Sequence, residues 1–222
     1  MSPRPARISR EDVLAAALEL VDQGGLDRLT MRALGAALGV DPMAVYRMFS
    51  GRSAVTAALA EQFWAGWHVP PRDPASTWQD YAITLMSDVR RRLCAHPHLI
   101  PVIATHPMSS PAALLVADEA VGRLINAGAP VHAGLGHLVN TLVMLTVASA
   151  LGEYTPPAGS TAEPGGTHRD GTEQQEASST DELAELPHLS LLVQQGWTPS
   201  FDVQFATALR AIVTGWQFPA EA

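Results

Sequence analysis

Arg47 and Tyr46 carry groups that bond phosphate, a guanidinium and a phenol. Met43 and Ala44, beside them, offer apolar contact of the kind that fits a thymine methyl. All four follow Pro42 in one short run, Asp41-Pro-Met-Ala-Val-Tyr-Arg, where a helix starts. Thr30, Arg32 and Arg52 flank that run at two further helix starts, where backbone amides attract phosphate. Arg4, Arg7 and Arg10 form a loose basic arm ahead of it, suited to phosphate or a minor groove. The chemistry offered is recognition of double-stranded DNA rather than covalent catalysis.

Other reactive residues do not assemble into a site. His96, His98 and His106 cluster around prolines at spacings that match no zinc pattern, and the single cysteine, Cys94, supplies no pair. No metal site is expected, and no cofactor. Gly134-Leu-Gly136 follows no strand and precedes no lysine, so it is not a phosphate loop. Neither a nucleophile elbow nor a paired-histidine zinc helix occurs, so an enzyme is not expected.

Helical elements must position the DNA-directed group. Ser9 stands as N-cap of a first helix whose Val13, Leu14, Ala17, Leu18 and Val21 share one face. Gly24-Gly25 ends it. Thr30 caps a short second helix with Met31, Leu34 and Leu38 on one side. Gly39-Val40-Asp41 makes a tight corner, with Gly39 free to adopt the left-handed conformation. Asp41 caps the third helix and Pro42 fills its first position, where the missing N–H costs nothing. Ser50-Gly51 then opens a fourth helix from Arg52 to His68. Helix, tight corner and helix is the arrangement that lays its second helix in a major groove.

The Pro-rich stretch Val69–Ser76 separates two expected domains: residues 1–52, with helix 53–68 connecting, and residues 69–222. Helices are expected over 78–95, 111–127, 131–152, 181–195 and 200–217, and no run alternates with a strand period. The fold class is therefore all-α, with about nine to ten helices. Residues 155–180 are dominated by Pro, Gly, Thr, Ser and Glu, with alanine the only other apolar side chain, and are expected to form a disordered loop. The segment 131–152 is nearly long enough for a membrane span, yet contains His132, His137, Asn140, Thr141 and Thr146 and lacks flanking anchors. It reads as a helix at a core or a subunit interface.

Composition agrees with a soluble globular chain. Of 222 residues, 47% are hydrophobic, enough to build a core, and the net charge is −8. That charge excludes a generally basic nucleic-acid binder. It is unevenly spread, however: residues 1–52 hold seven arginines against six acids, and the remainder seven against sixteen. One cysteine and an N-terminus with no apolar run behind its charges suggest a reducing, cytoplasmic setting without a secretory signal.

The run Leu29–Ala54, LTMRALGAALGVDPMAVYRMFSGRSA, resembles the N-terminal domain of the TetR family of bacterial transcriptional repressors. The Thr-hydrophobic-Arg start of helix two, the Leu-Gly-Val corner and the aromatic end Val45-Tyr46-Arg47-Met48-Phe49 carry the match. Trp78-Gln79-Asp80, Gly136-His137 and the tail Thr180–Phe205 are similar to the tetracycline-repressor branch. The resemblance implies a repressor that binds a palindromic operator as a homodimer, paired through helices 131–152 and 200–217. It also implies a small-molecule effector that moves the fourth helix. His68 matches a ligand-contacting histidine of that branch, and Thr105 a threonine beside its metal. Val102 and Leu85 replace a metal-binding histidine and a drug-binding asparagine, whereas Glu153 is a candidate for the branch's acidic residue. The implied pocket, Trp64, Trp67, His68, Leu85, Val89, Val102 and Thr105, is mostly apolar and suits a hydrophobic or aromatic effector. His137 is a further candidate for its lining, or else an interface residue. The alternative is a helical ligand-binding protein or enzyme that binds no operator.

Overall fold

The computed structural model describes residues 8–105, 110–154 and 186–218. Among them are ten α-helices and two 3-10 turns, with no strand. The helices are α1 (Arg10–Gly24), α2 (Met31–Leu38), α3 (Pro42–Tyr46), α4 (Arg52–Ala65), α5 (Trp78–Ala95), α6 (Ile100–Thr105), α7 (Pro111–Asn126), α8 (Ala133–Tyr154), α9 (Leu189–Gln194) and α10 (Phe201–Gly215). The turns are Leu26–Arg28 and Pro97–Leu99.

Side-chain caps start most of the longer helices. Ser9 Oγ accepts from the Asp12 amide at 3.1 Å while the Asp12 carboxylate accepts from the Ser9 amide at 2.8 Å. Thr77 and Asp80 repeat this reciprocal box at α5. Thr30 caps α2, Asp41 caps α3 and Ser110 caps α7. Each cap satisfies amides that the first helical turn leaves without a carbonyl.

Two hydrophobic cores form. The first gathers Val13, Ala17, Val21, Leu29, Leu34, Val45, Phe49, Val55 and Leu59 from α1 to the first half of α4. The second gathers Phe63, Trp64 and Trp67 from the chain at the end of α4, with α5, α6, α7, α8 and α10. The helix α4 thus belongs to both. In α8, Leu135, Leu138, Leu142, Thr146 and Ala150 point inward, and the Thr146 hydroxyl donates to the Leu142 carbonyl at 2.7 Å. By length and composition α8 is the one helix among the described residues apolar enough to cross a membrane, and one face of it is buried against the rest of this fold.

Several boundaries differ from the sequence expectation. The fourth helix ends at Ala65 instead of His68, because Gly66 closes it and the chain turns. The segment between the two His-Pro pairs, where no helix is expected, contains the 3-10 turn Pro97–Leu99 and α6. Of the helix expected over 181–195, the described part is Leu189–Gln194. The loop expected over 155–180, together with Arg4, Arg7 and His106, lies outside the described residues.

Candidate nucleic-acid interface and effector core

The corner between α2 and α3 is built on two glycines. Gly39 sits in the left-handed region at φ 65° and ψ 30°, as the C-cap of α2. Gly35 permits the close approach of the two helices: a Cβ there would lie 2.9 Å from the Val40 carbonyl oxygen and 3.1 Å from the Pro42 nitrogen. The Val40 amide donates back to the Gly35 carbonyl at 2.9 Å. The sequence pattern points to Gly39 but not to Gly35, which looks like one more small residue in an Ala-rich helix.

The third helix has a buried and an exposed side. Val45 is fully buried and Phe49, just past the helix end, nearly so. Met43 is 62% exposed and Tyr46 47%. Arg47 is exposed too, while Pro42 and Ala44 are half-buried at the same end. The four side chains singled out for base and phosphate contact therefore lie on or beside the solvent face of α3. Arg32 is exposed on α2. The Thr30 hydroxyl accepts from the Ala33 amide at 3.0 Å, so it acts first as the cap of α2.

Two arginines fold back onto the domain while staying exposed. Arg10 lies with its guanidinium 4.1 Å from the centroid of the Phe49 ring and donates to the Met48 carbonyl at 3.3 Å. It packs on the residues that follow α3 rather than extending as part of an arm. Arg52 donates to the Leu26 carbonyl at 2.8 Å and pairs with Asp27 at 3.5 Å, tying α4 to the first 3-10 turn. A sequence pattern cannot show these carbonyl partners, which lie 38 and 26 residues away.

In the second core, Trp64, Trp67, Leu85, Val89 and Val102 come together, buried. Trp64 stands edge-on to Phe63 at 5.1 Å and to Trp67 at 6.3 Å. Trp67 donates from Nε1 to Asp88 at 2.7 Å. Trp64 Nε1 is buried and finds no acceptor among the described residues. Three expected pocket residues are not in this group. His68 is exposed beyond the shortened α4. His137 is exposed because it falls on the stripe of α8 opposite Leu135, Leu138 and Leu142. Thr105 is the last residue of α6, and its side chain lies outside the described residues.

Glu153 is committed to a partner that the sequence pattern does not identify. Arg90, buried in α5, pairs with Glu153 of α8 and with Asp202 of α10, the latter at 2.6 Å, and its Nε donates to Ser149 at 3.3 Å. Its guanidinium lies 5.2 Å from the Phe205 ring centroid. Burial pushes the Glu153 carboxyl upward although Arg90 pulls it down. Burial, then Glu153, raises the Cys94 thiol, and burial raises the Tyr154 phenol to about 12. Cys94 is therefore a protonated thiol at neutral pH, not a reactive thiolate. A signal for Arg90 existed: it lies on the α5 stripe with Tyr81, Leu85, Met86, Val89 and Leu93, where an arginine must be paired.

The shared helix α4 is gripped at its second half. Arg92 of α5 donates twice to the Phe63 carbonyl, at 3.2 Å and 2.9 Å, and lies 4.9 Å from the Phe63 ring centroid. Glu61 accepts from the Ala112 amide at 2.9 Å, capping α7 from α4. Charge-assisted bonds thus tie the connecting helix to two helices of the second core.

Residues 70–218 match the model of the tetracyclin repressor-like C-terminal domain, and residues 13–59 that of bacterial regulatory proteins of the tetR family. An HTH-type transcriptional regulator of Saccharopolyspora erythraea is 27% identical over 121 residues, 54% of this chain and 51% of that protein. The class D tetracycline repressor protein of Escherichia coli is 35% identical over 89 residues, 40% of this chain and 41% of that one. This chain spans about half the length, or less, of these curated relatives. Among solved structures, Streptomyces coelicolor ActR in complex with actinorhodin superposes with a TM-score of 0.73 at 20% identity, over 94% of this chain and 96% of that one, a likeness of fold. Both halves of the sequence, matched separately and in the family's order, lead to one assignment: the chain belongs to the TetR family of bacterial regulatory proteins.

Proposed function

We propose that this chain is a ligand-responsive transcriptional repressor. It binds a palindromic operator as a homodimer and releases it when a small hydrophobic or aromatic effector binds. The observation that carries this reading is α3: Val45 locks its inner side while Met43 and Tyr46 stand exposed beside Arg47. Residues 1–52 form the reading head, α4 and the short segment after it to residue 68 connect, and residues 69–222 bind the effector and pair the protomers. Thr30, Arg32 and Arg52 add phosphate contacts from two helix starts. The acidic remainder stays away from DNA.

The aromatic frame of Trp64 and Trp67, with Leu85, Val89 and Val102, supports an effector with a flat apolar body. The unpartnered Trp64 Nε1 calls for an acceptor on that body, since a buried donor left unmade costs about 1–3 kcal/mol. Val102 and Leu85 offer nothing to a metal-chelated ligand, and the acid Glu153 is already bound to Arg90. The dimer face is the exposed stripe of α8 around Met144 together with Phe201 and Val203 of α10, apolar side chains open to solvent in one protomer. A setting in the bacterial cytoplasm follows from this role, and no catalytic step is part of it.

One observation favours a ligand-binding protein without operator: Arg10 and Arg52, though exposed, both already donate to backbone carbonyls of the head. Selection of fragmented genomic DNA on the purified dimer, at about 0.15 M salt, separates the readings. The repressor reading expects a near-palindromic site. Tyr46→Ala and Arg47→Ala should each weaken binding to that site by about 1–3 kcal/mol. Folded, dimeric protein that enriches no site would overturn it.

A further inference from the structure

Between Ala133 and Gly152 the helix α8 carries no Asp, Glu, Lys or Arg. Its most apolar window has a mean hydropathy of 1.5, yet 33% of that window is buried within the protomer. The exposed positions Ala133, His137, Asn140, Met144, Ala148 and Gly152 follow at steps of three and four and form one stripe. At its far end a Cβ on Gly152 would lie 2.9 Å from the Phe201 ring, so the stripe runs on into the outer side of α10. There Ala206, Thr207, Arg210, Ala211 and Thr214 line a shallow hollow of about 400 Å³. Met144, 63% exposed, projects from the stripe. One continuous face therefore holds both a projection and a hollow, which is what packing against its own copy about a two-fold axis requires.

The polar residues of this face are of two kinds. Thr141 donates to the His137 carbonyl at 2.8 Å and Thr214 to the Arg210 carbonyl at 2.8 Å, so both hydroxyls enter an interface already bonded. Asn140 donates to the Met144 sulfur at 3.7 Å, a weak acceptor, and brings an amide oxygen and a second N–H besides. His137, one turn before, brings in its neutral form one ring donor and one ring acceptor. Covered by a purely apolar surface, these groups give up water for nothing in return. Covered by a second copy, they meet the same amide and ring from the other side, and each finds both a donor and an acceptor.

We propose that His137 and Asn140 select the partner: they make the face of α8 and α10 accept a second copy of this chain and reject apolar faces without matching polar groups. The proposal rests on the homodimer reading above. Met144, Ala148, Val203 and the hollow supply attraction that would serve any apolar helix. The polar pair is what distinguishes one occupant from another, as a single buried asparagine does in coiled coils at a cost in stability.

The test is subunit exchange between wild type and a mass-tagged variant, read by native mass spectrometry. Protomers that pair without preference give mixed dimers as about half of the total in an equal mixture of two self-pairing chains. With His137→Leu and Asn140→Leu in one variant, every mixed dimer buries the polar pair opposite leucines. A mixed dimer about tenfold weaker than the parents, as an unpaired buried donor implies, lowers that share to about a tenth. Paired with itself, the double variant should be at least as tight as wild type, since leucines replace buried polar groups. Met144→Leu, on the same stripe, should mix freely with wild type. Asn140→Leu alone, a change at an exposed side chain, keeps the test intact if the double variant is not soluble, and its share should also fall clearly below half. Free mixing of the leucine variants with wild type would overturn the inference and leave the homodimer standing. Val203→Asp, on the α10 side of the face, should give monomers. A dimer that survives Val203→Asp pairs elsewhere, and the homodimer face and this inference then fall together. A wild type that is monomeric at micromolar concentration overturns both as well, and leaves the face to a helix of another protein or to a membrane.

Discussion

Arg90 is the most heavily committed charge in the second core, and replacing it by methionine tests what the network contributes. Methionine keeps most of the stem volume and removes the guanidinium. Asp202 is 81% exposed on its side chain, so water rehydrates it and its loss counts for about 0–1 kcal/mol. Glu153 is mostly buried and would be left without its cation, which for a fully buried pair costs about 3–5 kcal/mol. Partial exposure of Glu153 brings the expected total to about 3 kcal/mol, including the stacking over Phe205. For a chain of this length that is a fall in Tm of about 6–12 °C, measured at matched protomer concentration. The deficit should depend on pH with a definite sign. The Glu153 carboxyl is already pushed up by burial, and loss of Arg90 pushes it further. Its cost is therefore present above the raised folded value and disappears as pH falls below the ordinary value of 4.5. Arg90→Met should lie well below wild type at pH 7 and approach it near pH 4.5, and Glu153→Gln added to it should recover part of the loss at pH 7. A deficit unchanged between pH 7 and pH 4.5 would refute the assignment of the loss to an abandoned carboxylate.

Three further outcomes follow from the same geometry. Trp67→Phe breaks the bond to Asp88 while Trp64→Phe removes a donor that has no partner, so in urea titrations the first should cost more by about 1–2 kcal/mol. Gly35→Ala places a methyl against the Val40 carbonyl and the Pro42 backbone, and should destabilise the head by about 1–3 kcal/mol and abolish selective DNA binding. The Asp12 carboxyl is held below its ordinary 3.8 chiefly by the Ser9 amide, and that of Asp80 chiefly by the Thr77 hydroxyl. Their contribution is present above that ordinary value and is lost as pH falls through the lowered ones, so Asp12→Asn with Asp80→Asn should flatten the acid limb of the urea midpoint between pH 4 and pH 2.

The sequence alone determined what short-range chemistry can determine. Ser9, Thr30 and Asp41 with Pro42 mark helix starts because a cap bonds an amide two or three residues ahead. The periodic spacing of Val13, Ala17 and Val21, or of Met31 and Leu34, marks the faces they bury. The corner at Gly39 and the exposure of Met43, Tyr46 and Arg47 were legible for the same reason. Tertiary structure decided every pairing across a long sequence separation. It turned Arg10 onto Phe49 and Arg52 onto Asp27, bound Glu153 to Arg90, and set His137 on the outer stripe of α8. It also sent Leu99 into one core and Ile100 into the other. Neither residue type nor spacing carries that information, because a leucine is buried equally well by any apolar neighbours. Which neighbours they are depends on where the proline-bounded corner after α5 places the chain against α1.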